Sequence, residues 1–492
     1  MNARAAIADR RIVAALAGGA LALAGCGGGS SPPPDDAAKL VPSSALVFVH
    51  LSTDTGRGAT KSALTLARRF PSFERLRTSL LRRLQDPRCG GSLGKQHGKE
   101  AALALLSSST GTAGSLVLVD TGKDHPGAQT KACGLVSQTY IGHFLAIGQN
   151  DALTAARALA RADGKGSLAA NPDFKRSVGA LPGDRVADGW ASADGVRRLL
   201  APQGGVLGAA GVLLDQPGLK GVAIGLVAHD KSARVVIHSL LDSSARKGQA
   251  FSPFEPSLQK IVPKGVMAYL GVSGLSSALS RLFAAAGPQT AGLGELLRRA
   301  GRQLDQQSGG RLTRAVLATL KGEVALTLTP AVPAPVATVI AHAKPDTRSA
   351  LAQLETPIAK LLGKGARFRN VTVAGARSRV LRAGPITIAY AVVRDNLVVA
   401  TSPAGIAAVA NAPVHLDSEE SFKTAAAGAP GKVSSLLFLD FTELLRLGEQ
   451  TGLGGSRAYQ SVRDDLRKVR AVGAWSSGSG DESTAEINLS IP

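Results

Sequence analysis

The chain repeats itself, and no other feature constrains its fold as strongly. Val41–Ser52 reads VPSSALVFVHLS, and Val262–Ser273 reads VPKGVMAYLGVS, an offset of 221. Gly98–Leu105 (GKEAALAL) is answered by Gly322–Leu328 (GEVALTL), with Glu100 and Glu323 separated by 223. Phe174-Lys175 returns as Phe422-Lys423, and Leu181-Pro182-Gly183 as Ala429-Pro430-Gly431, both at 248. Lys220-Gly221-Val222 faces Arg470-Ala471-Val472 at 250. The matches keep their order while the offset grows, as a duplicated unit with loop insertions requires. The jump from 223 to 248 places about 25 extra residues between Glu323 and Phe422.

Within a unit the pattern alternates between strand and helix periods. Strands are predicted at Ala45–Leu51, Ala101–Leu106, Leu116–Val119, Phe144–Ile147, Val186–Ala191, Val222–Val227 and Val235–Leu241. Helices are predicted after Pro71-Ser72, with Phe73, Leu76, Leu80 and Leu84 on one face, and over Ala152–Ala160. Short turns between many strands favour antiparallel pairing. The expected fold class is therefore α+β: two tandem homologous copies, each a mainly antiparallel sheet with packed helices. The copies are expected at residues 41–242 and 261–492, joined by a polar, proline-containing linker over 243–260.

The first 40 residues carry an address. A basic start (Arg4, Arg10, Arg11) precedes an apolar run, Ile12–Leu23, too short for the roughly 20 residues that span a bilayer. Leu23-Ala24-Gly25 then leads into Cys26. This is the pattern of a secretory signal peptide over residues 1–25. A cysteine directly after Leu-Ala-Gly makes it similar to a bacterial lipoprotein signal, in which Cys26 is lipidated and becomes the mature N-terminus. Residues 26–40, opening GGGSSPPPDD after the cysteine, read as a tether. Two acyl chains suffice for stable anchoring. The expected location is the outer side of a membrane, held there through Cys26.

Charge and cysteine usage agree with export. The formal charge is +21, with residues 40–255 and 256–492 each at +10. A basic exported body is drawn to anionic lipid, phosphate-bearing wall polymer or an acidic envelope protein. Nucleic acid is not an expected partner, because no binding motif for it appears. Cys89 and Cys133 remain as an even pair in an oxidising compartment and are expected to form a disulfide. The densest basic cluster is Lys360, Lys364, Arg367, Arg369, Arg377, Arg379 and Arg382, and no acidic residue lies between Pro357 and Arg394. It overlaps the region of the extra residues, so an inserted basic hairpin is the candidate anion-binding surface. Arg367 and Arg369 should project from one face of a strand, as should Arg377 and Arg379.

Signs of catalysis are sparse. GxxxxGK[ST], HExxH and EF-hand patterns are absent, and the eight histidines are scattered, so no cofactor, metal or local catalytic site is expected. Ser257-Leu258-Gln259-Lys260 matches SxxK formally but lacks the Ser-Asp-Asn and Lys-Thr-Gly that accompany it in penicillin-binding proteins. His50 reads as a strand-end polar residue.

The opening Leu40–Leu51 (LVPSSALVFVHL) after the tether, with its echo at Val262, resembles an uncharacterised family of bacterial envelope proteins catalogued as domain of unknown function 3352. The resemblance implies an exported or membrane-attached protein and supplies no catalytic residues. The expected function is a binding or structural role in the envelope, through recognition of anionic lipid or wall polymer. The alternatives are a carrier of an apolar ligand and an enzyme with a non-local active site.

Overall fold

The computed structural model describes residues 32–84, 98–107, 114–200, 218–242, 244, 253–273, 322–332, 334–363, 365–384 and 386–492. Nine strands lie in the first half of the chain: β1 (Ala45–Ser52), β2 (Glu100–Leu106), β3 (Gly114–Asp120), β4 (Lys131–Cys133), β5 (Val136–Ile141), β6 (Phe144–Gly148), β7 (Ala187–Ser192), β8 (Leu219–His229) and β9 (Ser232–Leu241). Ten lie in the second: β10 (Ala268–Ser273), β11 (Glu323–Thr329), β12 (Val336–His342), β13 (Phe368–Val373), β14 (Ala376–Ala383), β15 (Ile386–Val393), β16 (Asn396–Ala400), β17 (Ser435–Asp440), β18 (Ala471–Ser479) and β19 (Glu482–Ser490). Every pairing is antiparallel, and all 19 belong to one sheet. Its spatial order is β4-β5-β6-β3-β2-β1-β7-β8-β9-β19-β18-β17-β10-β11-β12-β16-β15-β14-β13.

The expectation of a separate sheet for each copy is thus corrected. β9 and β19 pair over their lengths, from Leu240 opposite Glu482 to Ser232 opposite Ser490, and join the halves into a continuous ladder. On either side of that seam the pairing pattern recurs. β1 runs between β2 and β7, and β10 between β11 and β17. Ser52 stands opposite Glu100, and Ser273 opposite Glu323. Ala191 stands opposite Val222, and Leu439 opposite Val472.

Packing recurs with the register. In the first half Phe174, on helix α3 (Pro172–Gly179), meets Phe48 and Trp190 edge-on, at ring-centre distances of 5.8 Å each. In the second half Phe422, on helix α4 (Glu420–Ala425), meets Tyr269 at 6.0 Å and Phe438 at 5.5 Å in the same way. Each trio sits in one of the two large cores, where aromatic edges insert between strand side chains. α3 starts where it does because Pro172 suits a first turn and the Asn171 side chain accepts the N–H groups of Asp173 and Phe174.

The extra residues fall between β12 and β16. The first half goes from Asp120 to its partner Phe144; the second goes from His342 to Asn396, thirty residues further. That connection holds helix α5 (Thr347–Leu362) and strand β13. The later stretch from Asn396 to Phe422 is four residues shorter than Phe144 to Phe174, which brings the offset back to 248.

Three local expectations change. Leu76, placed on an apolar helix face, is 53% exposed. The expected linker is integral from Phe254 on: Phe254 exchanges backbone hydrogen bonds with Val433, and Leu258 is fully buried. The end of the expected tether is packed as well, with Ala37, Ala38 and Leu40 in the first core. No described helix is long and apolar enough to cross a membrane.

Candidate functional site

β13 is the last strand of the sheet, pairing with β14 on one side and with nothing described on the other. Arg369 stands opposite Val380, Asn370 opposite Arg379, and Thr372 opposite Arg377. Because side chains alternate along a strand, Arg369 and Arg382 share one face while Arg377 and Arg379 share the other. The basic hairpin exists, but its cations are divided between two faces of an edge.

They are also not equivalent. Arg379 is held by Glu355 on α5: its Nε donates to Glu355 Oε1 at 2.5 Å, its Nη2 to Oε2, and its Nη1 to Asn370 Oδ1 at 2.6 Å. Tyr390 Oη donates to Glu355 Oε1 at 2.5 Å. Partial burial alone would raise the Glu355 carboxyl, but the Arg379 and Tyr390 hydrogen bonds outweigh it and hold it below its ordinary value. Arg379 therefore pins the inserted helix to the inserted hairpin. Lys360, Arg367, Arg369, Arg377 and Arg382 are exposed, and no described carboxylate pairs with them. Lys364 lies outside the described residues.

A second polar site is buried in the middle of the first half. His50 is fully buried in β1, between Asp188 on β7 and Glu100 on β2. Its Nδ1 lies 3.2 Å from Asp188 Oδ2 and its Nε2 3.4 Å from Glu100 Oε2. A neutral imidazole carries one N–H, so a ring whose Nδ1 is hydrogen-bonded to one carboxylate and whose Nε2 faces another at ion-pair distance favours the imidazolium. Burial opposes that charge, but Asp188 and Glu100 overcome it and raise His50 to about 10. Arg185 Nε donates to Asp188 Oδ2 at 3.1 Å. Burial pushes Asp188 up, yet His50 and Arg185 hold it below its ordinary value.

Glu100 also accepts the backbone N–H groups of Asp36 at 3.1 Å and Ala37 at 3.2 Å, fixing the short 3₁₀ turn Ala37–Leu40 to the sheet. Reading His50 as a strand-end residue overlooked this cluster. A usable signal was present: a histidine two residues after Phe48 inside an apolar strand, and Asp188 two residues before Trp190 in another, both on core-facing parity.

The corresponding place in the second half has no counterpart of the His50–Asp188 pair. Gly271 stands opposite Leu436, where His50 stands opposite Asp188. A Cβ on Gly271 would lie 2.6 Å from Tyr269 Oη, so the tyrosine occupies the space. Glu323 keeps the turn-fixing role, accepting from Ser257 N at 3.0 Å and Leu258 N at 3.1 Å. Ser257, the SxxK serine, donates its hydroxyl to Glu323 Oε2 at 2.5 Å and lies 3.1 Å from His342 Nε2. The adjoining N–H groups that an oxyanion would need are thus spent on Glu323. The arrangement caps a turn rather than activating a nucleophile. An apolar hollow lined by Leu326, Val339, Ile388 and Val399 measures about 260 Å³, below the usual range for pockets that bury a drug-sized ligand.

Cys133 is buried and disulfide-bonded. Cys89, its expected partner, and Cys26 lie outside the described residues.

No curated protein matches the chain. Among solved structures, crystal form III of TP0453 matches at a TM-score of 0.22 and 10% identity, covering 43% of this chain and 80% of that one. Crystal form I matches at 0.22 and 10%, covering 41% and 78%. Both are too distant to bear on fold or function. Residues 102–490 match the family described as "Protein of unknown function (DUF3352)", and the chain belongs to that family.

Proposed function

We propose that this is a duplicated, lipid-anchored envelope protein whose body engages an anionic, phosphate-bearing surface along the β13 edge. The recurring registers and aromatic trios support the duplication. The signal pattern before Cys26 supports the anchor. The observation that carries the binding role is the set of exposed cations (Lys360, Arg367, Arg369, Arg377, Arg382) around β13, whose outer edge pairs with nothing among the described residues. An edge strand presents free backbone N–H groups, and guanidinium forks on either side of it match phosphate oxygens. Dividing the arginines between two faces suits an edge-on approach, since long side chains from both faces reach past the rim. Measured along the sheet, β13 is thirteen strand spacings from β1, or ~60 Å at about 4.8 Å each. The end that follows the anchor and the basic edge therefore belong to different parts of the ladder.

Binding of the full chain to anionic and neutral vesicles, and to phosphate-bearing wall polymer, tests this. Exposed cations act within about a Debye length, near 8 Å at physiological salt, so binding must weaken as salt rises. Reversing Arg367, Arg369, Arg377 and Arg382 to Glu is expected to remove most of the anionic preference. Reversing Arg68, Arg75, Arg161 and Arg457 is expected to remove much less. Equal losses would assign the preference to net charge, and a wild type without preference would end the proposal. Whichever anionic partner is retained identifies the surface.

A further inference from the structure

The two hydrogen bonds from Asp36 N and Ala37 N to Glu100 bring Asp35 within electrostatic reach of His50 on β1, Glu100 on β2, Asp188 on β7, and Arg185 in the turn before β7. Without Asp35 those four groups balance, two cations against two carboxylates. Asp35 adds a third carboxyl, and its Oδ1 is buried with no hydrogen-bond partner. An ionised Asp35 would leave that buried oxygen without a protein donor and near two like charges, an arrangement that disfavours the carboxylate. The other charges of its own segment, Asp36 and Lys39, pair with each other at 2.7 Å on the exposed side.

We propose that Pro32–Leu40 is a proton-dependent latch, docked on the first half when Asp35 is a neutral acid and released when Asp35 ionises. Burial raises the Asp35 carboxyl; His50 and Arg185 pull it down, Asp188 and Glu100 push it up, and it stands at about 7. In a released segment it returns to about 3.9. The docked value is the higher one, so docking takes up a proton. Docking is strongest below about pH 4, weakens as pH rises towards 7, and levels off above that. Between pH 5 and pH 8 the docking equilibrium falls on the order of a hundredfold. The latch stands whether or not Cys26 carries lipid. With the anchor of the proposed function, release would lengthen the tether by up to ~30 Å over nine residues.

The second half provides an internal control. Its turn Leu258–Lys260 docks on Glu323 in the same way, but Pro256 precedes Ser257 where Asp35 precedes Asp36. Hydrogen exchange of the full chain in detergent, at pH 5 and pH 8 and corrected for intrinsic rates, reads both turns. Protection over residues 36–44 is expected to fall at least tenfold at pH 8 in the wild type, while 257–265 changes only a few-fold. Asp35→Asn should keep the first turn protected at both pH values, and Asp36→Asn should retain the wild-type pH dependence. Protection that is flat with pH in the wild type, or a dependence that survives Asp35→Asn, would overturn the latch. So would an Asp35→Asn chain unprotected at pH 5 with the rest of the sheet intact, because the acid would then act by contact rather than by charge.

Discussion

A single buried imidazolium governs the polar chemistry of the first half. His50 contributes by neutralising two carboxylates that are almost fully buried, so removing it should cost far more than a surface pair would. Breaking a buried ion pair from one side costs about 3–5 kcal/mol, and His50→Ala is expected to fall in that range. The pH dependence has a definite sign. The folded value, about 10, lies above the ordinary one near 6.5. The stabilisation from His50 is thus complete below about pH 6.5 and disappears as pH rises through 10. Denaturant unfolding at pH 6 and pH 10.5 should show the gap between wild type and His50→Ala shrinking at the higher pH. A gap of the same size at both would mean that His50 contributes by packing alone. The histidine was visible in the sequence, but its partners were not. Glu100 and Asp188 are 50 and 138 residues away, and nothing local announces that β1 will lie between the strands that carry them.

At the scale of elements, the inserted α5 and the β13–β14 hairpin form a unit fastened through Glu355. Glu355→Gln removes the charge behind three hydrogen bonds at a partly exposed site. The expected loss is about 1–2 kcal/mol, less than for a fully buried pair. Hydrogen exchange should then rise in residues 347–362 ahead of β10–β12. Uniform change across the second half would mean that the helix is not separately fastened. The basic cluster was legible as composition; Arg377 and Arg379 do share a face of β14, whereas Arg367 lies just before β13 and so is not paired with Arg369 on that strand. The cluster's two-faced arrangement required the hairpin register, which Val373-Ala374-Gly375-Ala376 sets at the turn. The acid-free window also misled: it begins at Pro357, two residues past Glu355, and the helix brings that carboxylate back onto Arg379.

At the scale of the whole molecule, the nineteen-stranded ladder ties the halves more closely than a linker would. Nine residue pairs join β9 to β19, and Arg176 on α3 reaches Asp481 and Glu482 in the β18–β19 turn. Calorimetry is expected to give one cooperative transition for the wild type. Ala485→Pro, placed opposite Ile237 in the seam, removes a ladder donor and should split that transition in two. Two transitions in the wild type would show that the seam does not couple the halves. The recurring sequence motifs could be read from local patterns because each lies within one or two elements. The seam could not, since it pairs segments some 250 residues apart that carry no shared motif. The same seam bears on how the chain is made. β19 follows the other eighteen described strands in order of synthesis, yet it closes the centre of the sheet rather than its rim. Until it arrives, β9 and β18 both present open edges, which invite pairing with other chains. A ribosome product stopped short of Glu482 would have nearly every core residue and still be marked as unfinished, by two raw edges at its middle where a holdase or a protease can act.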